Sequence, residues 1–202
     1  MLNNVLERKD LKANIKLLIK SMVSAGLVIL AVLLPQLVHL VYGAQGGMKF
    51  LPMYIPAIIG GILLGAKWGA LIGVLSPLTS FLLTSAFFSP MPLATRLPFM
   101  VIELGLFGLI SGLFSKKVNE NPLWAFVAVL SAQLVGRGSF IILTMLFGNY
   151  FSLTTELVLT QIKMGYLGLI IQLLVTPILM LILKKVFDKN NDWFRIRKKW
   201  IS

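Results

Sequence analysis

Four polar side chains interrupt an apolar sequence where they could bind something: Arg96, Glu103, Gln133 and Arg137. Arg96 and Glu103 are seven residues apart, two turns, and share a face if one helix carries both. Gln133 lies one turn from Arg137, which sits between Gly136 and Gly138. A guanidinium presents a planar fork of donors that matches a carboxylate, and the flanking glycines leave a ligand room to reach it. Charges inside apolar spans are costly, so they face a cavity or one another. Two readings follow and are compatible. In one, Glu103 and Arg137 form a structural ion pair and Arg96 lies among headgroups. In the other, all four line a pocket opening outward, in which Arg137, helped by Arg96, holds a carboxylate. Two arginines against one glutamate leave a single positive charge, which suits a monoanionic solute.

Other chemistry lacks its residues. Cysteine is absent, so there is no disulfide, thiolate metal site or cysteine nucleophile. His39 is the single histidine, and a metal site needs several ligands, so it reads as an interfacial or loop residue. The segment Gly60 to Lys67 resembles a phosphate loop only superficially. Alanine stands where that loop needs its lysine, and no Ser or Thr follows Lys67. Serine proteolysis would need a histidine base beside a glycine elbow, and His39 has no such setting. Neither catalysis nor a cofactor is expected.

The charge distribution says what must hold these residues. Arg8, Lys9, Lys12, Lys16 and Lys20 crowd one end; Lys184, Lys185, Lys189, Arg195, Arg197, Lys198 and Lys199 crowd the other. Hydrophobic residues make up 57% of the 202 and charged residues 13%, about half the usual share for a soluble domain. The chain therefore reads as an integral membrane protein. Its net charge of +12 flanks apolar spans, which points to anionic lipids rather than nucleic acid. The apolar run after the N-terminal charges is too long for a cleavable signal peptide.

Runs of about 20 apolar residues mark the crossings. They fall at about Leu17 to Leu40, two within Leu51 to Phe88, then Leu97 to Phe114, Leu123 to Phe147, and Gln161 to Phe187. The turn between the second and third is Gly65-Ala66-Lys67-Trp68-Gly69. The expected fold is an all-α bundle of six transmembrane helices with both termini cytoplasmic. Residues 1–16 form a basic N-terminal segment, 17–187 the bundle, and 188–202 a basic tail. That topology puts 15 basic residues inside against Lys49, Arg96 and Lys163 outside, as the positive-inside rule favours.

Small residues recur at helix spacing: Gly61, Gly65, Gly69 and Gly73, then Gly105, Gly108 and Gly112. They let helices approach closely, either within one bundle or against a partner's helices. Ser21 and Ala25, four apart in the first span, serve either purpose. No internal repeat or inverted symmetry is evident, against a self-sufficient transporter of paired halves.

The stretch Leu51 to Leu78 carries Ile55-Pro56, the Gly60-Gly61 pair, the turn at Lys67 and Ser76-Pro77, and Gly165 to Leu173 adds a second patterned run. In these the chain resembles the substrate-binding (S) components of energy-coupling factor, or ECF, vitamin transporters. The resemblance covers most of the chain. It implies a six-helix subunit of a bacterial plasma membrane that captures a vitamin or precursor from outside. It also implies a transmembrane coupling protein and two cytoplasmic ATPases as partners, and a bundle that topples to deliver its cargo. An Ala-x-x-x-Ala contact of the family has Ser21 and Ala25 as its nearest match here, with serine in place of the first alanine. The family's pocket-closing loops correspond to Tyr42 to Phe50 and Phe88 to Arg96. Thiamin-binding members use a tryptophan-rich pocket that Trp68, Trp124, Trp193 and Trp200 do not repeat. Two arginines favour an acid, with pantothenate first and cobalamin, which would need a larger cavity, second. The alternative of another class is a small membrane scaffold with no solute.

Overall fold

The computed structural model describes residues 12–43, 46–86, 90–151 and 155–201, the side chains of 155, 157, 158, 162 and 187–201 aside. Arg8 and Lys9, Phe88 and Ser89 of the second loop, and the side chains of the basic tail lie outside the described residues. Among the described residues every regular element is helical. In order these are α1 (Ala13–Tyr42), α2 (Gly46–Phe50), α3 (Tyr54–Leu64), α4 (Ala66–Ser85), α5 (Leu97–Leu113), α6 (Ser115–Glu120), α7 (Trp124–Phe147) and α8 (Thr155–Ile201), with a 3-10 turn at Gly148–Phe151. In hydrocarbon a helix is the one open-chain structure that satisfies its own backbone donors and acceptors.

Among the described residues the expectation of six crossings is corrected to five. Ala13–Tyr42, Gly46–Leu64, Ala66–Ser85, Trp124–Phe151 and Lys163–Val186 are the stretches long and apolar enough to span a bilayer. Helix α5, read from the sequence as the fourth span, has 17 residues. At 1.5 Å per residue it is about 25 Å long, short of the ~30 Å hydrocarbon core. The parity argument that placed both termini in the cytoplasm falls with the sixth crossing.

What α5 lacks in length it makes up in burial, since it packs against α3, α4 and α7. Backbone-to-backbone contact explains the glycine rows. A Cβ on Gly69 would overlap the Gly108 carbonyl, one on Gly108 would overlap the Gly69 carbonyl, and one on Gly73 would overlap that of Leu104. These glycines pack the bundle internally. Ser111 Oγ donates to the Ile58 carbonyl at 3.2 Å and Ser115 Oγ to that of Ile62 at 2.6 Å, fastening α5 and α6 to α3. Gly65 makes the turn between α3 and α4 with φ +94°, a conformation open to glycine without strain. Ile58, Ile62, Ile72, Leu104 and Phe107 fill the wholly buried centre.

Outside, α1 exposes Leu18, Met22, Ile29, Leu33 and Leu37, and α8 exposes Ile170, Leu174 and Ile178. Faces this apolar are at home in lipid and would aggregate in water. The two ends of the bundle differ. Exposed Lys67, Lys116 and Lys117 sit at the α3–α4 and α5–α6 junctions, with Lys117 over the Trp124 ring at 4.5 Å. At the opposite end α2, the segment 90–96 and the last turns of α1 surround a cavity.

Candidate functional site

A tight turn positions one wall of that cavity. Leu51 takes the left-handed conformation, φ +49°, which is uncommon for a residue with a side chain. Its N–H donates to the Gly47 carbonyl at 3.1 Å, and its own carbonyl accepts from Tyr54 N at 3.3 Å and from Gln172 Nε2 at 3.4 Å. The turn sets Leu51, Pro52, Met53 and Tyr54 along the cavity. Helix α2 is pressed onto α8, where a Cβ on Gly168 would meet the Phe50 carbonyl at 2.6 Å. A second wall is the segment 90–93. Ser80 Oγ donates to the Met91 carbonyl at 2.8 Å, and Met91 N donates to Thr84 Oγ1 at 2.7 Å.

The cavity holds about 420 Å³, the size of a small-molecule site. Methionines and prolines dominate its wall: Met48, Met53, Met91 and Met100 with Pro35, Pro52, Pro90 and Pro92. Its charged residues are Arg96, Glu103 and Arg137. Arg137 Nη1 lies 2.9 Å from Glu103 Oε1, and Tyr54 donates its hydroxyl to Glu103 Oε2 at 2.8 Å. The Arg137 guanidinium also lies 5.0 Å from the centre of the Tyr54 ring, a cation–π contact. Glu103 is 1% exposed and Arg137 9%, so this cluster is out of water. It is also incomplete, because Arg137 Nε and Nη2 have no hydrogen-bond partner and Glu103 Oε1 accepts no aligned hydrogen bond.

Arg96 precedes the first residue of α5 and is half-buried at the mouth. With the Gln161 amide oxygen turned toward the guanidinium, that oxygen accepts from Nη1 at 2.6 Å, Nη2 at 2.9 Å and Nε at 3.1 Å. Arg96 Nη1 also lies 3.8 Å from Met48 Sδ. Partial burial pulls the Arg96 pKa below its ordinary value. Among the described residues no carboxylate pairs with it.

Of the four residues read from the sequence, Arg96, Glu103 and Arg137 line one cavity. Gln133 does not line it. Its Nε2 donates to the Leu169 carbonyl at 2.9 Å and to Gln172 Oε1 at 3.3 Å, and Gln172 in turn reaches Leu51. The sequence reading missed Tyr54, Gln161 and Gln172. Gln172 carried a signal, as a polar residue within an apolar stretch of α8. Gln161 lies beside Thr160 and close to Lys163, and Tyr54 had no signal beyond its place near Pro52 and Pro56. Ser21 and Ala25 are exposed on the outer face of α1. Among the described residues no group of His, Cys, Asp or Glu could hold a metal ion.

The family model for "ECF transporter, substrate-specific component" matches residues 16–183, most of the chain. No curated protein and no solved structure matches it.

Proposed function

The chain belongs to the family of ECF transporter substrate-specific components, and from that premise we propose that it captures a small organic acid, pantothenate in the specific reading. Members of the family are transport subunits rather than enzymes, and their complexes include a coupling protein and ATPase subunits. The observation that carries the substrate reading is the charge of the cavity. Two arginines against one buried glutamate leave one positive charge in a site of about 420 Å³. That balance favours a monoanion, and the volume favours pantothenate over the far bulkier cobalamin. Arg96, Glu103 and Arg137 contact the substrate, while Gln133 supports them from behind through Gln172 and Leu51.

The mouth faces outward and the end bearing Lys67, Lys116 and Lys117 faces the cytoplasm of a bacterial plasma membrane, against anionic headgroups. The basic segments 1–16 and 188–202 flank the bundle 17–187 and favour anionic headgroups wherever they meet the membrane surface. Ser21 and Ala25 form the face of α1 that docks on the coupling protein. Two ATPases then drive delivery. A thermal-shift panel of vitamins on the purified chain tests the substrate reading. Pantothenate at 100 times its Kd is expected to stabilise by about 2.7 kcal/mol. A panel that shifts nothing would favour a scaffold without a solute.

A further inference from the structure

We infer that the ligand of this site is an elongated monoacid lying along α5, its anionic end on Arg96 at the mouth and an uncharged hydroxyl or amide end against Glu103 and Arg137 at the floor. The inference rests on the proposed acid-binding function and moves the carboxylate from Arg137, where the sequence reading puts it, to Arg96.

Charge balance is the first argument. Arg137 already has a counter-ion at 2.9 Å, and Tyr54 holds that counter-ion in place. A carboxylate brought to Arg137 would be attracted by the guanidinium and repelled by Glu103 over similar distances, so the two terms largely cancel. Arg96 is different. Its partners are the neutral Gln161 amide and a thioether, which leave its charge uncompensated.

Hydrogen-bond chemistry at the floor gives the second argument. Arg137 Nε and Nη2 are donors without partners, and Glu103 Oε1 is an acceptor without an aligned donor. A hydroxyl or amide supplies both an acceptor and a donor, and satisfies both sides. A carboxylate would satisfy the arginine and set a like charge beside Oε1. These atoms are closed to water in the unliganded site, so the Glu103 and Arg137 side chains must shift to meet the uncharged end of the ligand, and a mismatched group there is heavily penalised.

Length and lining give the third. Glu103 lies seven residues beyond Arg96, which is about 10 Å along the helix. Met100 lies between the two stations on α5, and Met53, Met91 and Pro92 add further apolar wall to the same cavity. The ligand thus has a polar uncharged end, an apolar middle and an acid end.

The test pairs acids with neutral counterparts on the purified full chain: pantothenate with panthenol, biotin with biotinamide, lipoate with lipoamide. For the acid that binds, the parent should prefer it over its neutral partner by at least about tenfold, 1.4 kcal/mol. In Arg96→Gln that ratio should fall to about one. Arg137→Lys should weaken acid and neutral partner by similar factors and keep the ratio. A ratio that survives Arg96→Gln overturns the orientation, and this arm decides alone if Arg137→Lys does not fold. Collapse of the ratio in Arg137→Lys instead would place the acid at the floor. If no acid binds the parent, the proposed substrate class fails and the orientation fails with it, an outcome distinct from binding with the ratio set by Arg137.

Discussion

Replacing Glu103 by glutamine should leave a buried arginine without its counter-ion, and the loss is large enough to measure. Glu103 is 1% exposed, 2.9 Å from Arg137 Nη1 and 2.8 Å from the Tyr54 hydroxyl. The glutamine oxygen can still accept from Tyr54, so the change isolates the charge. Breaking a buried ion pair from one side typically destabilises by about 3–5 kcal/mol. For a chain of this length each kcal/mol moves the melting temperature by about 2–4 °C, so the variant should melt about 6–20 °C below the parent. The assay is a thermal melt of purified protein in detergent, without ligand, followed by intrinsic fluorescence. The double variant Glu103→Gln with Arg137→Gln removes both charges and should melt above the single variant, because no lone charge remains buried. A single variant that melts within about 2 °C of the parent would refute the reasoning, since a shift below 1 kcal/mol is too small for an orphaned buried charge. A double variant as unstable as the sum of the singles would refute it too.

Two further outcomes follow from the surfaces of the bundle. Single cysteines at exposed Lys67 and exposed Thr95, introduced into a chain that has no cysteine of its own, should react with an impermeant thiol reagent from opposite sides of the membrane; labelling from one side would reject the outward mouth. Ser21→Leu with Ala25→Leu should leave ligand affinity within about twofold while ATP-driven uptake by the reconstituted transporter falls at least about tenfold, because leucines keep a partner helix at a distance. Loss of binding together with uptake would assign that face to the bundle's own stability.

Much of this was legible in the sequence because it is local. The turn at Gly65 follows from a glycine beside a lysine and a tryptophan between two apolar runs, and the glycine rows announce close helix packing. Glu103 and Arg137 were legible as partners because each is a charge within an apolar segment at similar depth. The crossing count was not legible. An apolar run from Leu97 to Phe114 reads as a span, yet the helix ends at Leu113, and only the packing around it shows a short buried helix rather than a full-length one. Gln133 was misplaced for a geometric reason. Four residues turn a helix by about 400°, so it sits some 40° around from Arg137 and faces α8 instead of the cavity. Tyr54 reaches a partner 49 residues away with nothing in its own neighbourhood to announce it, and Gln172, though it stands out in an apolar run, reaches a partner 121 residues away that the run does not identify.

Equilibrium binding of radiolabelled pantothenate to the purified chain tests the proposed substrate most directly. Saturable one-to-one binding is predicted, displaced by unlabelled pantothenate and weakened at least about tenfold, 1.4 kcal/mol, in Arg96→Gln. Absence of saturable binding by pantothenate or any other vitamin acid, in a protein that melts cooperatively and is therefore folded, would contradict it.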